Sequence, residues 1–291
     1  MSVSAKLELP VTEIIERGES ALIGLGQALF CEPDSLFAMI SSYSLYCDAA
    51  GGKDHGLIVV AGYLSTYEKW LAFNREWNLL LAAYDIPHFH MKEFAPSKGP
   101  FEKWEGDEKR RAAFLSRAAG IIKNHVQRSF TCLVEFDVFA KVAERHPLKD
   151  VAGCPYALAA KSCAAKASNC LPGLREEIGF VFEDGDEGKG ELMRIMERDG
   201  YPIPIFKPSR DREKDGRTVR GLVPLQAADF AAYEVRKHFK DDPGELWPLE
   251  KYRKSLVALA GVPSTANDWG RYREQELLAL CQKFEEEHGR T

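Results

Sequence analysis

The sequence contains no apolar run that approaches the roughly 20 residues needed to span a bilayer. Its N-terminus also lacks the basic and then apolar pattern that marks a secretory signal. None of the seven cysteines falls in a CxxC pair, and their odd number indicates neither a zinc site nor a disulfide framework. These absences predict a cytoplasmic protein that keeps its thiols reduced and has no membrane partner.

An excess of basic charge is also missing, because 44 acidic residues outnumber 39 basic ones and give a net charge of −5. This balance argues against a protein that coats nucleic acid, although it allows a local basic surface. There is no internal repeat and no low-complexity tract. A chain of 291 residues with 45% hydrophobic content is long enough to bury a complete core.

The order of predicted elements indicates an α/β fold, with a mixed sheet covered by helices. The segments SYSLYCD and LIVVAGY predict an opening hairpin, with Asp48 at the end of its first strand. Ser65 is predicted to cap a helix that reaches about Tyr84, and PHFHMKEF is predicted to form a short third strand and a loop. We predict an N-terminal helical arm over residues 1–42, a main domain over 43–240 and a C-terminal helical extension over 241–291.

The stretch LQAADFAAYE places a carboxylate, Asp229, in the middle of an apolar helix. At about 100° per residue, Asp229 lies at the border of the buried stripe rather than on the solvated face. No Lys or Arg stands one turn away on either side, so Asp229 needs a partner from another element. That partner is a metal ion, a hydrogen-bond donor or a basic group, and a simple pairing across a helix contact is one alternative.

Further acidic positions follow two predicted strands: Asp48 after the first, and the segment from Glu183 to Asp186 after a later one. Mg²⁺ prefers oxygen ligands, and carboxylates from several rigid elements commonly assemble such a site. Clustered carboxylates of this kind support two-metal hydrolysis. The alternatives are that Asp48 only bonds the backbone of its turn and that the FEDGDEG acids are solvated at a helix N-terminus. A calcium loop is excluded, because Lys189 and Ile195 stand where its glycine and its last glutamate belong.

The segment HFHMKEF contains two histidines, His88 and His90, that would share one face of a strand, with Glu93 three residues after the second. Two imidazoles without a third clear ligand do not indicate zinc, and structural roles are an open alternative. The pKa range of histidine suits His90 to proton transfer beside a metal-bound water.

Basic residues outnumber acidic ones in KPSRDREKDGRTVRG, the segment that leads into the helix carrying Asp229. Such a loop is able to hold phosphates close to the proposed acids. A mobile, solvated loop is the alternative meaning of a mixed charge run.

Taken together, the motifs resemble those of the domain of unknown function 3800 family, over roughly residues 43–239. YCDAAG resembles its opening Asp-Glu-Ser-Gly motif, HMKE its His-x-x-Glu element, FEDGDEGKG its late-strand motif, and LQAADFAAYE its Gln-x-x-Asp motif. The family positions fall, in this order, on Asp48; His90 and Glu93; Glu183 and Asp186; Gln226 and Asp229.

The resemblance implies a ribonuclease-H-like fold for residues 43–240 and a metal-dependent nuclease activity. Mg²⁺ or Mn²⁺ would be held by the four acids Asp48, Glu183, Asp186 and Asp229. In this interpretation Gln226 orients Asp229 or a bound water, His90 shuttles a proton, and Glu93 supports His90. The basic residues that would grip the nucleic-acid backbone are Lys207, Arg210 and Arg212.

One departure from the family pattern matters, because Ala49 and Ala50 stand where the family usually has Glu and Ser. One candidate metal ligand is therefore missing. This departure keeps open a non-catalytic interaction module, which would bind a protein partner or a second copy of the chain through its terminal helices. A hydrolase of small phosphorylated metabolites is a further alternative, and it suits the acidic net charge.

Overall fold

A computed structural model of the chain describes residues 11–29, 42–173, 178–212, 218–241, 253–264 and 268–288. The helices in these ranges are α1 (Val11–Leu29), α2 (Tyr67–Ala83), α3 (Met91–Phe94), α4 (Glu108–His125), α5 (Phe136–Ala143), α6 (Leu148–Ala152), α7 (Pro155–Cys170), α8 (Lys189–Arg198), α9 (Val223–Asp241), α10 (Lys254–Leu259) and α11 (Glu274–His288). The strands are β1 (Tyr43–Gly52), β2 (Leu57–Thr66), β3 (Arg128–Glu135), β4 (Ile178–Glu183), β5 (Ile205–Lys207), β6 (Arg210–Arg212), β7 (Thr218–Arg220) and β8 (Trp269–Tyr272).

Six strands form one mixed sheet in the order β5-β4-β1-β2-β3-β8. The predicted hairpin is β1 and β2, and β3 extends it as a third antiparallel strand. On the outer sides β4 and β5 continue the sheet from β1 in parallel, and β8 runs parallel to β3. The fold is therefore α/β with a mixed sheet flanked by helices, as the sequence predicts.

Alternating side chains along the strands divide the core between the two faces of the sheet. Tyr46 of β1 and Val181 of β4 pack in one cluster, together with residues of α1, α2, α4 and α9. Cys47 and Phe182, which follow them, pack in the other cluster with residues of α7, α8 and α11. Each strand residue is thus assigned to the α9 face or to the α7 face by its position.

Strand β1 is longer than the sequence predicts, because its pairing with β2 continues to Gly52 opposite Leu57. Asp48 therefore lies inside the strand and not at its end. The cap of α2 is also one residue later than predicted. The side chain of Thr66 accepts a hydrogen bond from the Lys69 amide, whereas the Ser65 hydroxyl donates to the carbonyl of His125.

The predicted strand in PHFHMKEF does not form. Residues 86–90 have no regular structure, and Met91–Phe94 make a single helical turn. The reason lies in the hydrogen bonds of the backbone, because the amides of Phe89 and Met91 donate to side chains of α9 rather than to a neighbouring strand.

The terminal regions contribute to the main body of the fold. In the N-terminal arm, Leu22 and Leu25 of α1 are buried in the cluster on the α9 face, while residues 1–10 and 30–41 lie outside the described residues. In the C-terminal extension, α10 and α11 are helical, but β8 pairs with β3 at the edge of the sheet. The predicted boundary after residue 240 therefore leaves one strand of the sheet in the extension.

Six cysteines fall within the described ranges, and all six are free thiols. Three of them, Cys47, Cys132 and Cys163, are fully buried in the cluster on the α7 face. Cys31 lies outside the described residues. None of the helices described combines the length and the apolar character needed to cross a membrane.

Candidate functional site

Two of the predicted acids lie at the point where β1 and β4 separate. The parallel pairing of these strands ends with Cys47 opposite Phe182, so Asp48 and Glu183 are the next residue of each strand. By alternation both belong to the α9 face. Asp48 is only 8% exposed, and its carboxylate accepts a hydrogen bond of 2.7 Å from the adjacent amide of Ala49.

Asp229 reaches the same face from the middle of α9 and is 6% exposed. Its Oδ2 accepts a hydrogen bond of 2.6 Å from the amide of Met91. Its Oδ1 lies 3.9 Å from Nε2 of His90. The partner that the sequence requires from another element is therefore first of all a backbone donor.

The four predicted acids act on each other electrostatically. The pKa of Asp48 is raised well above its ordinary value, first by burial and then by the charges of Asp229, Glu183 and Asp186. Burial also raises the pKa of Glu183, and Asp229 and Asp186 add to this, while hydrogen bonds from Ser209 oppose it. The structure therefore brings together Asp48, Glu183, Asp186 and Asp229, which are remote in sequence.

The other two acids are also shifted upward. Burial, and then the neighbouring charge of Asp184, raise the pKa of Asp186 to about 6. Burial raises the pKa of Asp229, while the Met91 amide and the charge of Arg210 oppose the shift. Carboxylates that are buried near one another repel in their ionised forms. A positive charge among them would therefore lower the electrostatic energy of the ionised, metal-free site.

The donor chemistry of the site suits a hard divalent cation, since all four acids offer oxygen ligands. Among the described residues, however, no three His, Cys, Asp or Glu side chains are arranged to hold an ion as they stand. No Lys or Arg in those ranges forms an ion pair with Asp48, Glu183 or Asp186. The acids thus have suitable ligand atoms, and they would have to draw closer to bind a cation.

Gln226, one turn before Asp229, is completely buried and joins three elements. Its Oε1 accepts hydrogen bonds from Nε1 of Trp77 and from the amide of Phe89, at 3.0 and 3.1 Å. Its Nε2 donates to the carbonyl of Ser209 at 3.0 Å. No bond to Asp229 is formed among the described residues. Gln226 therefore fixes the backbone on both sides of the site rather than orienting Asp229 directly.

Ser209 is the residue through which Gln226 acts on Glu183. The Ser209 amide donates to both carboxylate oxygens of Glu183, at 2.9 and 2.8 Å, and its hydroxyl donates to Oε1 at 3.1 Å. Its carbonyl is held by Gln226 at the same time. Ser209 was not among the predicted site residues, because no sequence pattern distinguishes it from its neighbours in the loop.

Glu93 does not bond to His90, contrary to the prediction, because the turn into α3 brings His88 beside it instead. Glu93 accepts from Nε2 of His88 at 2.7 Å and from the Arg210 guanidinium at 2.5 Å. Burial opposes the charge of Glu93, but the hydrogen bonds and charges of His88 and Arg210 outweigh it and lower its pKa. Glu93 acts on His90 only through its charge.

His90 is the imidazole that lies beside Asp229. Burial, and then the charge of Arg210, lower its pKa to about 4. Its Nδ1 is buried and has no hydrogen-bond partner among the described residues. At neutral pH the ring is uncharged, so it is able to accept a proton or to ligate a cation.

The three basic residues predicted to hold a nucleic-acid backbone lie on β5 and β6, next to the acids. Lys207 is exposed and stands opposite Glu183 in the ladder. Arg210 is 37% exposed and is tied to Glu93. Arg212 lies at the end of β6, and its side chain falls outside the part of the structure that is described.

A further side chain near the acids, Tyr156 at the start of α7, was not singled out from the sequence. Its hydroxyl interacts with the charges of Asp186 and Asp48. Nothing in CPYA signals this position, because it depends on how α7 crosses the sheet.

Neither a scan against protein-family models nor searches of curated proteins and of solved structures find a match for this chain. The resemblance to the domain of unknown function 3800 family stays a prediction carried by four motifs. What the site is able to do is therefore argued from its geometry.

Proposed function

We propose that this protein is a divalent-metal-dependent phosphodiester hydrolase that acts on nucleic acid and has a ribonuclease-H-like core. The observation that carries the proposal is the convergence of Asp48, Glu183, Asp186 and Asp229, of which Asp48 and Asp229 are buried and the other two are partly buried. No Lys or Arg in the described ranges forms an ion pair with the first three. An arrangement in which buried acids raise one another's pKa is costly for stability, and such clusters concentrate at functional sites. Support for the core comes from the antiparallel unit β1-β2-β3, continued by the parallel strands β4 and β5.

In this proposal Asp48, Glu183, Asp186 and Asp229 hold Mg²⁺ or Mn²⁺. A bound cation supplies the charge that activates an attacking water and stabilises the leaving oxygen. The uncharged ring of His90 accepts a proton at Nδ1 or Nε2 beside Asp229. Gln226 is a positioning residue, because it bonds to Ser209 and Phe89 and, within the described residues, forms no hydrogen bond to any of the four acids.

The basic residues beside the acids support nucleic acid as the substrate class. Arg210 lies close enough to Asp229 and His90 to influence the pKa of both. Its guanidinium, held by Glu93, would present the remaining donors to a phosphodiester. Lys207 adds an exposed charge on β5. The free thiols described above support a cytoplasmic location for this activity.

The test is metal-dependent cleavage of single-stranded and double-stranded DNA and RNA by the wild type and by Asp229→Asn. The amide oxygen of the variant still accepts from Met91, so the change removes charge with little effect on structure. We expect the variant to lose activity by at least about 100-fold, as for the loss of one electrostatic contact in a transition state. The matched control is Asp137→Asn on the exposed surface of α5, because Asp137 does not contribute to the pKa shifts of the four acids.

Activity retained in Asp229→Asn would exclude the assignment, and the absence of cleavage with either metal would exclude the function. Mn²⁺ at 100 times its dissociation constant should stabilise the wild type by about 2.7 kcal/mol. Substrate binding should weaken steeply with salt if a nucleic-acid backbone is held. A weak dependence on salt would instead point to small phosphorylated metabolites.

A further inference from the structure

The hydroxyl of Tyr156 is a buried donor that has no hydrogen-bond partner. The residue is 3% exposed, and its oxygen forms no hydrogen bond within the described part of the chain. The large majority of buried polar side-chain atoms in folded proteins are hydrogen-bonded, so an exception requires a physical reason. Function is one such reason, because a donor that is unpaired in the free protein can acquire its acceptor when a ligand binds.

The packing of Tyr156 fixes its ring beside the turn that carries Asp186. A Cβ atom added to Gly188 would lie 3.2 Å from Cδ1 of Tyr156 and would overlap Sγ of Cys154. Gly188 also has a φ of 103°, a conformation that side chains rarely adopt. The ring therefore packs directly against the backbone two residues after Asp186.

The charges that act on the hydroxyl belong to the turn after β4, to β1 and to the residue before α7. Burial raises the pKa of Tyr156 above its ordinary value, and the charges of Asp186, Cys47, Asp48 and Cys154 add to this in that order. The phenol therefore keeps its proton and remains a donor. The carboxylate with the largest effect on its pKa is Asp186, which lies in a turn, whereas Asp48 is held within the β1-β2 ladder.

We propose that Tyr156 is a positioning residue of the acid cluster, whose hydroxyl donates to the carboxylate of Asp186 when Asp186 turns to hold a divalent cation. This inference rests on the proposed function. Tyr156 is buried on the α7 face and does not reach a nucleic acid, so its effect passes through Asp186. A hydrogen bond of this kind fixes the orientation of a ligand, and removing such a bond typically weakens metal binding by about 10–100-fold.

The experiment compares Mn²⁺ binding by the wild type, by Tyr156→Phe and by Tyr67→Phe, using calorimetric titration and metal-induced thermal shift. Tyr67 is the matched control, because it is 6% exposed and its hydroxyl is also buried without a partner. It follows Thr66, which pairs with Tyr43 at the open end of the hairpin, whereas Asp48 pairs with Ala61 in its middle. Each substitution removes one oxygen and keeps the ring.

For Tyr156→Phe we expect a dissociation constant for Mn²⁺ about 10–100-fold higher than that of the wild type. The melting temperature without metal should be equal to that of the wild type or higher, since an unpaired buried donor is removed. At saturating Mn²⁺ the KM for nucleic acid should be unchanged. Tyr67→Phe should bind Mn²⁺ as the wild type does.

Two outcomes overturn the inference while leaving the proposed function intact. One is an affinity for Mn²⁺ in Tyr156→Phe that equals that of the wild type. The other is a metal-free protein so destabilised by Tyr156→Phe that its unfolding accounts for the whole loss of Mn²⁺ affinity, which would mean a purely structural role. If the wild type itself binds no Mn²⁺, the proposed function fails and the inference falls with it.

Discussion

Replacing Gln226 with Leu should destabilise the protein strongly, because this one side chain satisfies three buried groups. The substitution keeps most of the volume and removes both polar atoms. The indole nitrogen of Trp77 and the amide of Phe89 would each lose an acceptor, and the carbonyl of Ser209 would lose a donor. Gln226 is 0% exposed, so water does not reach the vacated positions without a rearrangement.

The magnitude follows from the cost of leaving buried polar groups unpaired, about 1–3 kcal/mol for each. The three groups are neighbours, so their costs are not expected to add fully, and we expect a total loss of about 3–6 kcal/mol. That loss is a large part of the 5–15 kcal/mol that typically separates the folded and unfolded states.

Equilibrium unfolding in urea measures this loss, and the midpoint should fall by about 1–2 M with little change in slope. The control is Gln282→Leu on the exposed surface of α11, which should change the free energy of unfolding by no more than about 0.5 kcal/mol. A loss below about 1 kcal/mol in Gln226→Leu would show that the three partners find other hydrogen bonds. It would refute the conclusion that Gln226 is needed to satisfy them.

Two further substitutions test other parts of the structure. Asp48→Asn should raise the melting temperature of the metal-free protein by a few degrees, since it removes a buried charge that three other acids repel. Thermal unfolding beside the exposed Asp137→Asn of α5 checks this, and a lower melting temperature would contradict it. Glu234→Ala should cost about 1–3 kcal/mol, because Glu234 is 1% exposed and accepts from Arg253 and Ser255, tying α10 to α9. Urea unfolding measures the second loss, and an unchanged midpoint would show that the tie contributes nothing.

The parts of the fold that the sequence predicts are those determined by local pattern. The hairpin of β1 and β2, the strand before FEDGDEG and the helix around Asp229 all follow from alternating or helical spacing of apolar residues. The acids of the site could be named for the same reason, since each borders a strongly patterned element. Their convergence needed the strand order, which the pattern does not contain.

The parts that failed depend on partners distant in the chain. His88 and His90 lie in a segment that reads as a strand, yet its amides bond to side chains of α9 instead. Ser65 and Thr66 are both residue types that cap helices well. Thr66 is the cap because the Ser65 hydroxyl donates its hydrogen bond to the carbonyl of His125 instead. Tyr156 meets the acids only because α7 packs across the sheet.

The position of β8 has a consequence for how the protein is made. The sheet acquires its outer strand beside β3 from residues Trp269–Tyr272, which leave the ribosome long after β3 itself. Until then the backbone groups on the outer edge of β3 have no strand beside them and offer a template for pairing between nascent chains. Premature termination just after α9 would preserve all four acids and still release a molecule inclined to aggregate.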